Sequence, residues 1–210
     1  MKQSRLDELS DGIFAIVMTL LVFELKVPEL HMPVTNFDLF VALHQSLNPF
    51  LSYVLSFSLL FTYWRAHHYI ASVYAKNIDG KLTNINALFF FLVGLVPFTS
   101  SLLGRYSDTQ AAIAVYGVHM ILISLTILWM REYVFESEDI ENIKVNKTEY
   151  HNGQIRTYVP IISALLAIGV SFVDIKLSLA IYTFAILFNL SHASTGILNS
   201  FIKEFKDAFK

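Results

Sequence analysis

The feature that most constrains this fold is a series of six apolar stretches separated by short polar segments. An apolar helix needs about 20 residues to cross the hydrocarbon core of a bilayer. Hydrophobic residues make up 55% of the 210 positions and charged residues only 15%, a balance that ordinary soluble domains do not reach. The sequence therefore predicts an all-α integral membrane protein, with residues 1–210 forming one domain of six transmembrane helices. The six stretches cover roughly residues 10–27, 47–71, 82–104, 110–130, 158–174 and 177–200.

Charge and motif content exclude several classes of function. The formal net charge of -2 indicates no nucleic-acid partner, and the absence of Cys excludes disulfides, thiolate metal sites and Cys nucleophiles. No Gly-rich phosphate loop, Gly-x-Ser-x-Gly motif or potassium-filter sequence occurs. We therefore expect no enzyme activity, no cofactor and no metal site.

The distribution of basic residues predicts the orientation. Of the 15 Lys and Arg, 11 lie in both terminal tails and in the loops that follow segments two and four, whereas 3 lie on the opposite side. Cytoplasmic segments carry the excess of Lys and Arg in membrane proteins. We expect a multi-pass protein of the plasma membrane, with both termini and the 131–157 loop in the cytoplasm.

The first apolar segment, LSDGIFAIVMTLLVFELKVP, is short and has acids at both ends. The sixteen residues 12–27 span about 24 Å as a helix, less than the roughly 30 Å hydrocarbon core. Carboxylates such as Asp11 and Glu24 are unfavourable against lipid. A short helix shielded from lipid, with water at both ends, indicates a permeation path.

This segment also has a defined helical face. Gly12, Ile16, Thr19, Leu20 and Phe23 recur at the spacing of one stripe on a 3.6-residue helix. Such a stripe is commonly a packing surface against neighbouring helices. The flanking acids favour a pore-lining surface instead, and the pattern by itself leaves both interpretations open.

Polar residues collect near the cytoplasmic ends of the first three segments. If these segments alternate in direction, their polar ends lie at one depth and satisfy one another's hydrogen bonds. The cluster is either a structural lock between three helices or a proton-sensitive gate, because His titrates near neutral pH. A metal site is disfavoured, since two adjacent His residues point to different helical faces. The members are Arg5, Ser10, Asp11, His67, His68 and Asn86.

Three stretches resemble the bacterial branch of the transmembrane protein 175 family of potassium channels. The first-helix signature is matched by RLDELSDGIFAIVMTLLVFELKVP, and two further motifs by WRAHH and NALFFFLVGLVPF. The chain departs from the signature at Leu9, where Phe is usual, and at Phe23, where an aliphatic residue is usual. The matching positions are Arg5, Ser10, Asp11, Gly12, Ala15, Ile16, Thr19, Leu20, Leu21, Trp64, His67, His68, Asn86, Pro97 and Phe98.

The resemblance implies a homotetramer of six-helix subunits with the first helix of each lining a central pore. It implies that Ile16, Leu20 and Phe23 form a hydrophobic constriction and that Thr19 is the polar residue facing the pore. It also implies that Arg5, Ser10, Asp11, His67 and Asn86 form the locking network. The expected partners are permeating monovalent cations, with potassium preferred, membrane lipid and identical subunits.

Two other hypotheses compete with the channel. A proton- or cation-coupled transporter would use Asp11 and His67, but it would need alternating access, and no inverted repeat is visible. A scaffold or membrane enzyme would conduct nothing. The apolar face of the tail SFIKEFKDAFK either lies along the membrane surface or continues segment six.

Overall fold

The computed structural model describes residues 3–30, 32–141 and 147–191, and every regular element in them is helical. A 3₁₀ turn, Leu21–Glu24, follows α1, and a π-helical turn, Tyr69–Tyr74, follows α3. The tail, including its apolar face, and residues 192–200 of the sixth predicted segment lie outside the described residues. The helices are α1 Gln3–Leu20, α2 Asn36–Gln45, α3 Leu47–His68, α4 Gly80–Gly94, α5 Val96–Arg105, α6 Gln110–Glu136, α7 Lys147–Val170 and α8 Ile175–Leu190.

Polar caps define the start of several helices. Thr35 and Asp38 form a reciprocal capping box at α2, a helix in a region where the sequence analysis placed no segment. Side chains of Asp79, Thr109 and Asp174 accept backbone N–H groups at the starts of α4, α6 and α8. These caps satisfy orphan donors locally, so the helix starts follow from short sequence motifs.

The third predicted segment is two helices. The chain leaves regular α-helix at Leu95, and α5 begins with Pro97 in its first turn. Proline fits a first turn, where its missing N–H is not needed, but disrupts a helix interior. A proline at position 97 predicts that a helix ends or kinks near it, and the break at Leu95 agrees with this.

Membrane-spanning character is clear for part of the bundle. By length and composition, Gly80–Arg105, Gln110–Glu136 and Tyr150–Val170 can cross a membrane, and Ile175–Leu190 is a shorter apolar helix. The count of six spans stays a prediction, since α1 and α3 carry polar ends that lower their mean hydropathy. Helices α6 and α7 extend into the predicted 131–157 loop, since α6 ends at Glu136 and α7 begins at Lys147.

Buried residues of α1 and α3–α8 form one core, in which α6 packs on α4, α5 and α7, α8 packs on α7 and α3, and α1 packs on α3, α4 and α5. Tyr116 and Tyr182 lie edge to face at 5.4 Å at its centre. Their hydroxyls bond Ser56 and the carbonyl of Ile113, so two buried phenols are satisfied inside apolar packing. Helix α1 therefore lies at one side of the bundle and not in its middle.

Candidate functional site

Helix α1 has one buried and one exposed face. Leu6, Phe14, Val17 and Leu21 are buried against the bundle, at spacings of eight, three and four residues that keep them on one helical stripe. The opposite stripe is open: Ile16 is 60% exposed, Leu20 44% and Phe23 73%. Helix α1 and the turn after it thus present a continuous apolar surface that the other described residues of the chain leave uncovered.

Thr19 lies on the exposed stripe, but its hydroxyl proton points back to the helix. The hydroxyl bonds the carbonyl oxygens of Ala15 at 2.9 Å and Ile16 at 2.8 Å. What Thr19 presents outward is therefore its oxygen lone pairs and a methyl group. The stripe offers weak acceptors to a cation and no formal charge between Asp11 and Glu24.

Three residues from three helices form a buried hydrogen-bonded chain. Oγ of Ser10 on α1 lies 3.1 Å from Nδ1 of His67 on α3, and Nε2 of His67 lies 2.6 Å from Oδ1 of Asn86 on α4. All three side chains are buried. These contacts bring the first half of α1, the end of α3 and the first half of α4 to one level. Because Asp7 contacts Ser72 and Asp11 contacts Trp64, α1 and α3 run in opposite directions.

The hydrogen bonds assign the tautomer of His67. Asn86 donates through Nδ2 to the carbonyl of Leu82 at 2.8 Å, which leaves its Oδ1 as an acceptor. His67 must then donate from Nε2, and in the neutral imidazole Nδ1 accepts the hydroxyl proton of Ser10. Each of these buried polar groups therefore has a hydrogen-bond partner, and the three side chains connect α1, α3 and α4.

Aromatic rings enclose the same imidazole. His67 stacks on Phe89 with ring centroids 5.1 Å apart and planes inclined by 2°, and Phe90 lies at 5.3 Å. Phe14 of α1 closes the cage at 6.5 Å. Rings on several sides fix the orientation of the imidazole as firmly as its two hydrogen bonds do.

The remaining predicted network residues lie apart from this chain. Asp11 is exposed and accepts a 2.8 Å hydrogen bond from the indole Nε1 of Trp64. Trp64 also stacks on exposed His68 at 5.9 Å. Arg5 is exposed and forms no ion pair within the described part of the chain. Among the described residues of this chain, Asp11 is thus hydrogen-bonded to Trp64 and not to Arg5 or His67.

Sequence reasoning missed the contacts that hold the first turns of α1. Nε2 of Gln3 donates to the carbonyls of Ala71, Ser72 and Ala75 at 2.7–3.0 Å, and Asp7 accepts from the Ser72 hydroxyl at 2.7 Å. The receiving segment is the π-helical turn and its end, where carbonyls lack regular helical partners. The sequence signal for these contacts is the amide of Gln3 and the carboxylate of Asp7, which lie four residues apart on one helical face.

The other end of α1 carries an ion pair. Arg105 Nη2 lies 3.4 Å from Oε2 of Glu24, with both side chains partly exposed. Such a pair contributes only about 0–1 kcal/mol. Glu24 is therefore wetted and paired, which explains how an acid is tolerated at the end of this helix. Within the described ranges, no cluster of three or more His, Asp or Glu could hold a metal ion.

Comparison with known proteins adds an independent finding. The sequence model of the family described as endosomal/lysosomal potassium channel TMEM175 matches residues 5–97. A protein named potassium channel from Chryseobacterium sp. (strain P1-3) is 30% identical over 172 residues, covering 82% of this chain and 84% of that protein. One from Chamaesiphon minutus (strain ATCC 27169 / PCC 6605) is 31% identical over 192 residues, covering 85% and 91%.

A solved structure agrees with the fold. The crystal structure of a lysosomal potassium-selective channel TMEM175 homolog from Chamaesiphon minutus superposes with a TM-score of 0.75. It is 26% identical in sequence and the match covers 90% of this chain and 96% of that one. The similarity therefore extends over almost the whole bundle, well beyond the first three segments.

Proposed function

This chain belongs to the TMEM175 family of potassium channels, and on that premise we propose that it is a homotetrameric, potassium-preferring cation channel. The family is one of ion channels and not of enzymes, and the chain is a membrane protein. The proposal adds that α1 of each subunit lines a central pore, with both termini in the cytoplasm and the protein in the plasma membrane.

The observation that carries the proposal is the uncovered apolar stripe of α1. Ile16, Leu20 and Phe23 are exposed on a helix that packs on the side of its own bundle. One helix cannot enclose a pore, but cyclic symmetry brings four such stripes around one axis. In this arrangement each residue becomes a ring and the exposed surface is covered by identical subunits.

Rings of Ile16 and Leu20 would close the pore by excluding water. An ion at an apolar ring loses hydration without receiving replacement ligands, so the barrier is a desolvation barrier. The lone pairs of Thr19, between these two rings, are the polar groups nearest to a passing cation. The aromatic ring of Phe23 would narrow the end of the pore near Glu24.

The network has a mechanical role in this proposal. Ser10, His67 and Asn86 pin α1 to α3 and α4, which fixes the distance of the stripe from the pore axis. Asp11, Trp64 and His68 extend this contact to the exposed surface. In an assembly Arg5 and Asp11 would be available to a neighbouring subunit.

The decisive experiment changes Ile16, the residue that would form one of the apolar rings around the pore. Ile16→Asn in reconstituted liposomes should raise the current and reduce the preference for potassium over sodium, while Ile16→Phe should reduce the current. Leu125→Asn is the matched control, because Leu125 is also exposed, at 48%, but lies on α6. Unchanged current and selectivity in an Ile16→Asn, Leu20→Asn double variant would mean that the pore lies elsewhere. Saturating exchange in place of channel current would favour a transporter.

Topology has its own test. The chain has no Cys, so a single introduced thiol reports its side without background. Lys176→Cys should react in intact cells with a membrane-impermeant maleimide, whereas Lys76→Cys should react only after permeabilisation. The reverse pattern would invert the orientation.

A further inference from the structure

A second polar site lies between α3, α6, α7 and α8, away from α1. It is a cavity of about 330 Å³, lined by three arginines, Arg65, Arg131 and Arg156, and by no carboxylate of the described residues. Buried cations in proteins are normally paired, because desolvating a charge is unfavourable. Three guanidinium groups are therefore gathered around one cavity, where an anion would find cationic donors on several sides.

Arg131 is the buried arginine of the three. The residue is only 4% exposed, and its Nε is buried without a hydrogen-bond partner among the described residues. Its guanidinium lies against Gly153, where an added Cβ would overlap Nη1. Glycine at this position thus makes room for the charged group beside the cavity. A buried charged donor without an acceptor indicates that the site takes a ligand with acceptor oxygens.

The other two arginines meet at a single backbone oxygen. Arg65 donates to the carbonyl of Asn189 at 2.7 Å and Arg156 donates to the same carbonyl at 3.1 Å. Two guanidinium groups are thus held close together at the edge of the cavity, where both would attract an anion. The buried Oδ1 of Asn189 also lacks a partner within the described chain, so a ligand that carries a hydroxyl group would satisfy it as well.

We propose that this cavity binds a phosphate group, supplied by an anionic phospholipid headgroup or by inorganic phosphate. The planar guanidinium fork matches phosphate oxygens in two-point hydrogen bonds. The cavity lies at the ends of α3, α6 and α8, on the side to which the basic residues assign the cytoplasm. Basic pockets between membrane helices at this depth suit lipid headgroups. The site is independent of the pore and goes beyond the proposed channel function.

The experiment uses the full chain, purified in detergent and stripped of lipid. Phosphatidylglycerol, phosphatidylcholine or inorganic phosphate is titrated in, and binding is followed by thermal stabilisation. Phosphatidylglycerol should stabilise at lower concentration than phosphatidylcholine, because its net negative charge is not balanced by a choline cation. Stabilisation by inorganic phosphate alone, with the same dependence on Arg131, would identify free phosphate as the ligand.

Three variants decide the outcome. Arg131→Gln should weaken binding at least about tenfold, since charge-assisted hydrogen bonds are lost. Gly153→Ala keeps every charge but displaces the guanidinium, so it should also weaken binding, and it preserves the test if Arg131→Gln does not fold. Lys76→Gln removes an exposed charge predicted on the same side and should bind as the wild type does.

Three results would overturn the proposal. The first is no stabilisation by any of the three compounds. The second is wild-type binding in both Arg131→Gln and Gly153→Ala. The third is an equal loss in Lys76→Gln, which would mean that overall charge and not the cavity attracts the lipid. None of these readouts depends on ion conduction, so they separate this proposal from that of the channel.

Discussion

Ser10→Ala is the sharpest test of the buried lock between the first three membrane segments. Ser10 is 3% exposed and His67 1%, and their 3.1 Å hydrogen bond satisfies Nδ1 of the imidazole. Removing the hydroxyl takes away the hydrogen-bond partner of this acceptor, which lies buried among the rings of Phe14 and Phe89. A buried polar group without a partner costs about 1–3 kcal/mol.

The loss should appear as a lower melting temperature of the purified protein. For a chain of 150–250 residues, 1 kcal/mol corresponds to about 2–4 °C, so Ser10→Ala should lower the melting temperature by about 2–12 °C. Ser4→Ala is the matched control, since Ser4 is on the same helix but exposed. It should change the melting temperature by less than Ser10→Ala does.

A double-mutant cycle isolates the interaction itself. His67→Phe keeps an aromatic ring in the cage and removes the acceptor that Ser10 serves, so Ser10→Ala should cost almost nothing in that background. If Ser10→Ala were equally destabilising in the wild-type protein and in the His67→Phe variant, the hydrogen bond would not be the cause. The lock would then be a matter of packing alone.

Three further predictions follow from other contacts. Asp11→Ala and Trp64→Phe each remove one partner of the 2.8 Å hydrogen bond that joins α1 to α3, so each should reduce the fraction of tetramer, measured by native mass in detergent, more than it reduces current per tetramer; normal assembly with lost current would instead make Asp11 a permeation residue. Gly104→Ala should destabilise, since its Cβ would meet backbone of α3 at 2.9 Å, whereas Gly94→Ala has open space and should be neutral or stabilising by up to about 1 kcal/mol; equal melting temperatures would contradict this. Partial desolvation raises the pKa of Asp79, but hydrogen bonds from Tyr133 and backbone N–H groups outweigh it and hold that pKa below its ordinary 3.8. The stability from Asp79 is thus complete above about pH 4 and is lost as pH falls through its folded pKa. Asp79→Asn should show a smaller acid-induced loss of stability than the wild type, and an identical pH profile would contradict the assignment.

Much of the candidate site could be predicted from local sequence. The spacing of Gly12, Ile16 and Leu20 defines one stripe of any regular helix, whatever surrounds it. The structure finds Ile16 and Leu20 exposed together on that stripe. Polar residues at the ends of three apolar segments likewise predicted that Ser10, His67 and Asn86 meet, because alternating direction brings those ends to one level. The role of the stripe as a pore wall stays a prediction.

Other features were decided by tertiary packing. Asp11 meets Trp64 across 53 positions and Arg65 meets the carbonyl of Asn189 across 124, and no periodicity relates such positions. Arg131 lies beside the cavity because Gly153 leaves room for its guanidinium. Hydropathy and helical spacing depend only on residues that are close in sequence. The sequence by itself therefore determined which segments are apolar helices and which residues share a face of each helix. The rotation and register of one helix against another depend on the packing of the whole bundle. This rotation and register determined which polar groups became hydrogen-bond partners and which stayed unpaired.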